Sequence, residues 1–413
     1  MNNATLAKPV LEGSADAGRG VDDLIRQHRK GYALDRRFYR NAEIYQREID
    51  RIFMRVWQYA GHVSEIPNRG DYMLFNAFGE SVIVVRGDND EIHALLNVCR
   101  HRGSRIYTDE KGCSRRLTCP YHGWTYDLDG QLIAAAHMPE GFDKSDYQLK
   151  RCQVEIYHGM VFINFADQPN SFDVIRRDLD PYLEVYQLAT AKVAHRASYK
   201  IESNWKFAVE NYKECYHCGP AHPEYSKAHS LALPEERWEA EMNSLLERMP
   251  ACGLNSGMMD NSYLRGDEFG LDRAYEHYPL LRGHVTGSLD GKPVAPLLGA
   301  VTDFDGGAHD FKIGPFFYAL AYSDHVVFYR FTPLSMTSCD CDITWVVRGD
   351  AVEGKDYELN KLTWLWDVTT QADKKIIQDN NDGVMSRFFE PGPFSTFEDV
   401  TERWVEWYLD AIR

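Results

Sequence analysis

The pattern of apolar and polar positions changes character along the chain. Between residues 21 and 60, in VDDLIRQHRKGYALDRRFYRNAEIYQREIDRIFMRVWQYA, apolar residues recur every three or four positions among frequent charges. That is the period of helices with one buried face. From about 58 to 168, short β-rich runs such as SVIVVRG, EIHALLNV and GMVFINF alternate with Gly and Asp turns, as in a small all-β unit. Helical spacing returns from about 170, in SFDVIRRDLDPYLEVYQL and NWKFAVENYKECYH. Strand-like stretches follow in FKIGPFFYALAY, HVVFYRFTPLS and DCDITWVVRG, and helical runs close the chain. This order predicts an α+β protein. An all-β unit, residues 58–168, is inserted between a helical part, residues 21–57, and a larger unit of antiparallel sheet and helices, residues 169–413. Residues 1–20, rich in Ala, Gly, Ser and Asn, read as a mobile arm.

Composition narrows the partners. The chain has 413 residues, too many for one compact core, and 44% of them are apolar. The net charge of −16 argues against nucleic acid, which needs a basic face. The first residues lack an apolar leader, and no run of about 18 apolar residues occurs, so a soluble cytoplasmic protein without a membrane span is expected. Nine cysteines, an odd number, do not read as a disulfide framework. A reducing compartment with some metal-bound thiolates fits them better.

Two loops of similar build carry the first candidate chemistry. NVCRHRGSR and LTCPYHGWTY each hold a Cys, a His close behind it and a Gly soon after. The order is Cys99-x-His101, seventeen residues, then Cys119-x2-His122. Structural zinc fingers usually pair Cys with Cys and His with His along the chain. Here each loop offers one Cys and one His, which suits a Rieske [2Fe–2S] centre, where two His replace two Cys on one iron. Arg100, Arg102, Arg105, Lys111, Arg115 and Arg116 give these loops a basic rim, either a solvated surface or a docking face for an acidic partner.

Such a centre carries an electron and does no substrate chemistry. NWKFAVENYKECYHCGPAHPEY offers a second site. His217 and His222 are five apart, with Gly219 and Pro220 between them, so a helix is expected to end near Cys218 and the chain to turn His222 back. Glu214 would share a helical face with His217. Two His and a later carboxylate would make the facial triad of a non-haem Fe(II) oxygenase. TTQADKKIIQDNNDGVMS offers Asp373, Asp379 and Asp382, of which at least two belong to a solvated helix face.

With both constellations in one chain, the sequence resembles the catalytic α-subunit of Rieske non-haem iron oxygenases, from about residue 40 to the end. The resemblance implies a helix-grip-like catalytic unit. It assigns Cys99, His101, Cys119 and His122 to the cluster, His217 and His222 to mononuclear Fe(II), and Glu214 to the acid bridging the centres. The family's third iron ligand lies in a segment like Glu-Asp…Gln-x-Gly. Asp373, ten residues before Gly383, fits it ahead of Asp379, although Ala372 and Asn381 stand where Glu and Gln are usual. CRHRGSR, CPYHGWTYDLDG, AAAHMPE, ENYKECYHCGPAHPEY and AVEGKDYELNKLTWLW look like the branch acting on quaternary ammonium compounds, which includes choline monooxygenase, glycine betaine monooxygenase and stachydrine demethylase. This implies O₂-dependent N-demethylation of stachydrine or glycine betaine with release of formaldehyde, fed by a flavin and iron–sulfur reductase using NAD(P)H. It also implies a head-to-tail homotrimer, with electrons crossing from His101 or His122 of one subunit to Glu214 and His217 of the next.

A permanent cation is well held by aromatic faces. Residues 311–331 are dense in them, and alternate positions share a sheet face, which makes Phe316, Tyr318, Tyr322, Tyr329 and Phe331 candidate pocket residues, with ordinary sheet core as their alternative. Asn211 is a candidate beside the iron. Rival readings are the same machinery acting on an aromatic ring or acid, a pure electron carrier, and a zinc-stabilised binding module. An electron carrier would leave some three hundred residues and the histidine pair unexplained.

Overall fold

A computed structural model describes residues 20–231 and 233–413, so the expected arm lies, but for Gly20, outside the described residues. The first helical region is broken into Val21–Gln27, Arg37–Arg40 and Ala42–Glu48, the last running on through a wide turn at Ile49–Phe53. Asn41 starts the third piece by accepting from the backbone N–H groups of Glu43 and Ile44 at 2.8 and 3.3 Å.

The β unit is a seven-stranded sheet plus a three-stranded one. In spatial order the larger runs Gln58–His62, Met160–Asn164, Arg151–Tyr157, Ile92–Leu96, Glu80–Arg86, Asp71–Ala77 and Lys111–Cys113. The smaller is Leu117–Thr118, Thr125–Tyr126 and Leu132–Ala134. Between them sits a small core of Ile83, Val85, Leu95, Leu117, Trp124, Tyr126 and Leu132 that includes Cys99 and Cys119.

The larger unit is built on a second seven-stranded sheet, antiparallel throughout. Its order is Lys192–Ile201, Ser338–Val347, Val326–Ser335, Phe317–Ala321, Gly307–Ile313, Arg273–Pro279 and Met259–Asn261. Antiparallel sheets often leave one face wet; this one buries both. Tyr318, Leu320, Tyr322, Val327, Tyr329 and Phe331 join the core beneath the helices Trp205–Tyr212 and Leu359–Val384. The alternate residues Phe317, Ala319, Ala321, Val326 and Phe328 join a second core with the helices Asp173–Leu183 and Glu235–Arg248. Burial on both sides explains the almost unbroken apolar runs of these strands. The helix Glu235–Arg248 has no counterpart among the elements expected from the sequence, because only Met242 and Leu245 of its largely charged surface are buried.

One buried knot fixes the helix that leads to the histidine pair. Glu48, fully buried, accepts from Lys206 Nζ at 2.6 Å and Trp205 Nε1 at 2.8 Å, and from the Tyr408 hydroxyl. It thereby ties together the helices Ala42–Glu48, Trp205–Tyr212 and Asp399–Ala411. Among the described residues, no helix is long and apolar enough to cross a membrane.

Candidate active site

The two Cys/His loops are near copies in backbone as well as in sequence. Gly103 N–H donates to Cys99 O at 2.9 Å, and Gly123 N–H donates to Cys119 O at 3.0 Å. Both glycines have φ above +70°, a left-handed conformation that a side chain would strain. The two cysteines are buried, whereas the two imidazoles are exposed and meet at 3.1 Å between their Nδ1 atoms. Two thiols gathered on one side and two imidazoles on the other suit a [2Fe–2S] group whose irons take unlike ligands. Trp124 stacks on His101 and Tyr121 on His122. The Tyr126 hydroxyl lies 3.4 Å from Cys99 Sγ and accepts from Arg100 N–H at 3.0 Å. Burial raises the Cys99 thiol, and the Tyr126 hydrogen bond works against that rise.

At the second site the local fold departs from the helix expected through Cys218. The helix stops at Tyr212, and Glu214 lies in a turn rather than on a helical face shared with His217. Its carboxylate accepts from the backbone N–H groups of Tyr216 and His217 and from His217 Nδ1, the last at 2.7 Å. A side chain that satisfies nearby backbone donors competes with helix in this way. Gly219 and Pro220 then sit inside a short new helix, Cys218–Ala221, where an early Pro is tolerated.

This turn aims His217 Nε2 and His222 Nε2 at one oxygen of Asp373, at 3.3 and 3.0 Å. Both ring nitrogens of His222 and the Oδ1 of Asp373 are buried, and despite these close approaches none of the three makes a well-aimed hydrogen bond. Orphaned donors gathered on one point are what a metal ion satisfies, so these residues fit mononuclear iron. Glu214 accepts a hydrogen bond from Nδ1–H of His217 and so turns Nε2 to that point, where an arriving ion would displace the Nε2 proton. Burial opposes a charged Asp373, but the two imidazoles outweigh it and hold the carboxyl below its usual range. Burial likewise lowers His217, and the Asp373 and Glu214 carboxylates overcome this to hold it at about 10. Asp379 pairs with Lys375 on the exposed side of the helix, and Asp382 is exposed beside Asn381.

A cavity of about 210 Å³ opens on these donors. Its wall contains Tyr212, Tyr225, Tyr278, Tyr329, Trp366 and Phe397, with Asn211, Lys213, Asp310, Thr369 and the thiols of Cys215 and Cys218. Of the five aromatic residues expected there, Tyr329 alone lines it. Phe316 packs on Phe53 and Trp205, Phe331 on Tyr212, and the Tyr322 hydroxyl bonds His229 Nε2. Tyr318 accepts from Lys213 Nζ and donates to Pro315 O. All five share the helix side of the sheet, but the helices cover four of them. The missed wall residues carried a signal. Tyr212 and Tyr225 flank the histidine pair in the sequence, and Trp366 and Thr369 lie two turns and one turn before Asp373 on its helix.

Residues 188–413 match the model for the ring hydroxylating alpha subunit (catalytic domain), and residues 56–157 match the Rieske [2Fe-2S] domain. The chain belongs to the Rieske oxygenase α-subunits. Members of this family carry the [2Fe–2S] cluster and a mononuclear non-haem iron, and they are oxidoreductases. Among its relatives is the glycine betaine monooxygenase oxygenase subunit of Pseudomonas aeruginosa (strain UCBPP-PA14), 33% identical over 96% of this chain and 92% of the relative. That of Chromohalobacter salexigens is 34% identical over 98% and 92%. The carnitine monooxygenase oxygenase subunit of Escherichia coli (strain K12) is 36% identical over 48% of this chain and 54% of its own. In fold, this α-subunit is similar to the quaternary ammonium Rieske monooxygenase CntA, with TM-score 0.71, 21% identity and coverage of 95% and 98% of the two chains.

Proposed function

We propose that this α-subunit hydroxylates an N-methyl group of a small quaternary ammonium compound, glycine betaine or stachydrine, which then falls apart to formaldehyde and the demethylated amine. The observation that carries this reading is the cavity wall: six aromatic rings and the Asp310 carboxylate surround the space directly over the convergent donors. A cation against such faces gains roughly 0.5–2 kcal/mol per ring. Burial and the neighbouring Glu276 push Asp310 well above the usual carboxylate range, with Lys312 and Lys213 pulling the other way. An arriving cation draws the proton off this acid and so finds its counter-charge. The glycine betaine relatives, which span nearly the whole chain, point to the same substrate class.

In this reading Cys99 and Cys119 hold one iron of the cluster, His101 and His122 the other, and His217, His222 and Asp373 hold the mononuclear iron. When bound, the two groups supply one-electron transfer and the activation of O₂. The protein's own part is to orient, shield and neutralise. Glu214 sets the tautomer of His217, Asn211 borders the reacting space, and the aromatic wall keeps water from the cation.

The chain would work as a head-to-tail ring, fed by a separate NAD(P)H-dependent reductase. Val98 and Tyr121 are exposed on the cluster loops beside Arg100 and Arg102. Tyr216, Phe397 and Phe388 are exposed on the iron side, and Tyr216 stacks on Phe397. Asp382 and Glu390, close to Phe388 in the chain, are exposed and opposite in charge to Arg100 and Arg102. The deciding experiment supplies the holoenzyme with a surrogate reductase, NADH and O₂ and measures formaldehyde across a panel of betaines and benzoates. Release from a betaine is expected; turnover of a benzoate with none from any betaine would refute the reading.

A further inference from the structure

The segment that presents His217 also carries two thiols spaced Cys215-x-x-Cys218, and neither has a part in the function proposed above. Cys218 N–H donates to Cys215 O at 3.2 Å, closing a turn over residues 215–218. Such a turn brings its end Cα atoms within about 7 Å, the separation a disulfide spans. Both cysteines line the cavity, yet Cys215 is exposed whereas Cys218 is 3% exposed. Cys218 Sγ also lies 4.0 Å from His217 Nε2, the nitrogen aimed at Asp373. Together with His217 and His222 it makes a group compact enough to hold a metal ion.

We infer that Cys215 and Cys218 form a reversible dithiol–disulfide pair that loosens the mononuclear metal site when oxidised by hydrogen peroxide, the two-electron reduction product of O₂. The exposed Cys215 sulfur attacks one peroxide oxygen, and the O–O bond breaks. One oxygen leaves as water and the other stays as Cys215 sulfenic acid. The Cys218 sulfur then displaces that oxygen as a second water, forming the S–S bond. Two thiols and one peroxide give one disulfide and two waters, and a thiol reductant reverses the change. The closed ring encloses Tyr216 and His217, whose backbone N–H groups both rest on Glu214. Drawing the Cys218 sulfur toward Cys215 removes it from beside His217 Nε2 and reshapes the turn that aims this ring.

The consequence for iron rests on His217 being its ligand; the thiol chemistry does not. The test treats the reduced holoenzyme with stoichiometric peroxide, alkylates free thiols in a denatured portion so that burial does not shield them, and locates modified cysteines by peptide mass. Iron beyond the cluster's two atoms is measured after desalting, and the cluster's visible spectrum reports its integrity. The expected result is a 215–218 peptide closed to alkylation until reduced, with loss of the extra iron while the cluster spectrum holds. Cys215→Ser should leave Cys218 open to alkylation and keep its iron under the same treatment. Two alkylatable thiols after peroxide, a disulfide with iron fully retained, or equal iron loss from Cys215→Ser would each overturn the inference. Lack of the extra iron before any treatment would overturn the ligand assignment instead, and the thiol measurement would still read the pair.

Discussion

Replacing Glu48 by Gln is the sharpest test of how the iron-bearing segment is held. Glu48 and Lys206 are both fully buried and 2.6 Å apart. Gln keeps the shape and one acceptor oxygen but turns an N–H₂ group toward donors that need an acceptor. Removing one partner of a buried ion pair costs about 3–5 kcal/mol, because the other charge stays behind without compensation. An unmet donor, here Trp205 Nε1 or the Tyr408 hydroxyl, adds about 1–3 kcal/mol. The loss is capped by the ability of Lys206 to shed its proton. Burial already depresses its pKa, and Glu48 is the leading opposing influence. Without Glu48 the folded-state value falls further below the unfolded value of about 10.4. Between those two values the unfolded chain binds the extra proton, so stability rises with pH. Denaturant unfolding followed by tryptophan fluorescence should show a deficit of at least about 3 kcal/mol near neutral pH that shrinks toward pH 9. Removing both charges while keeping an acceptor oxygen, by Glu48→Gln with Lys206→Met, should recover the ion-pair share of the loss and leave that of the unmet donor. A single-variant deficit below about 1 kcal/mol, or one that grows with pH, would refute this account of the knot.

Asp373→Ala should empty the mononuclear site and abolish turnover with the cluster spectrum intact, whereas Asp379→Ala should be mild; metal analysis with single-turnover kinetics checks both. Glu214→Gln should keep the metals and substrate binding but slow reoxidation of the reduced cluster on mixing with O₂ and substrate, read by stopped-flow absorbance. Asp310→Asn should raise KM for a betaine by roughly tenfold, the worth of about 1.4 kcal/mol, with a smaller effect on kcat. Burial holds the Glu210 carboxyl up at about 8, against the pull of Lys206 and Tyr39. The folded state therefore keeps a proton that the unfolded chain has lost above about 4.3, and stability falls as pH rises from 5 to 8. Glu210→Gln should flatten that fall by up to a few kcal/mol in denaturation at the two pH values.

What could be read from the sequence follows how local each feature is. The cluster loops show because each needs only a Cys, a His and a Gly within a few residues, and the turn geometry is the same in both. The α+β order shows because strand and helix periods differ. The position of Asp373 was legible by a finer rule: it continues the buried stripe Leu362, Leu365, Trp366, Thr369, Thr370 and Ile377, while Asp379 falls off it. The turn at Glu214 was not legible, because it depends on a carboxylate outcompeting the helix for backbone donors. Nor was the cavity wall. Alternation sorts the strand aromatics to the correct side of the sheet, but which of them a helix covers is decided by packing between distant segments. Phe316 and Tyr329 are both aromatic residues in apolar runs, and the sequence around them does not say that Phe53 and Trp205 cover the first while the second reaches the cavity.

The donors gathered at Asp373 come from two stretches far apart in the chain, a turn near residue 217 and the middle of the helix Leu359–Val384. An ion held there acts as a removable crosslink. Its affinity exists only while helix and turn are in register, since a slip of one residue moves the carboxylate 1.5 Å along the axis and swings it to another face. Whatever free energy binds the ion is therefore also spent holding the two segments together. A chelator would act on this protein as a local denaturant, and hydrogen exchange of the turn and mid-helix amides would report the ion's departure before any change reached the sheet.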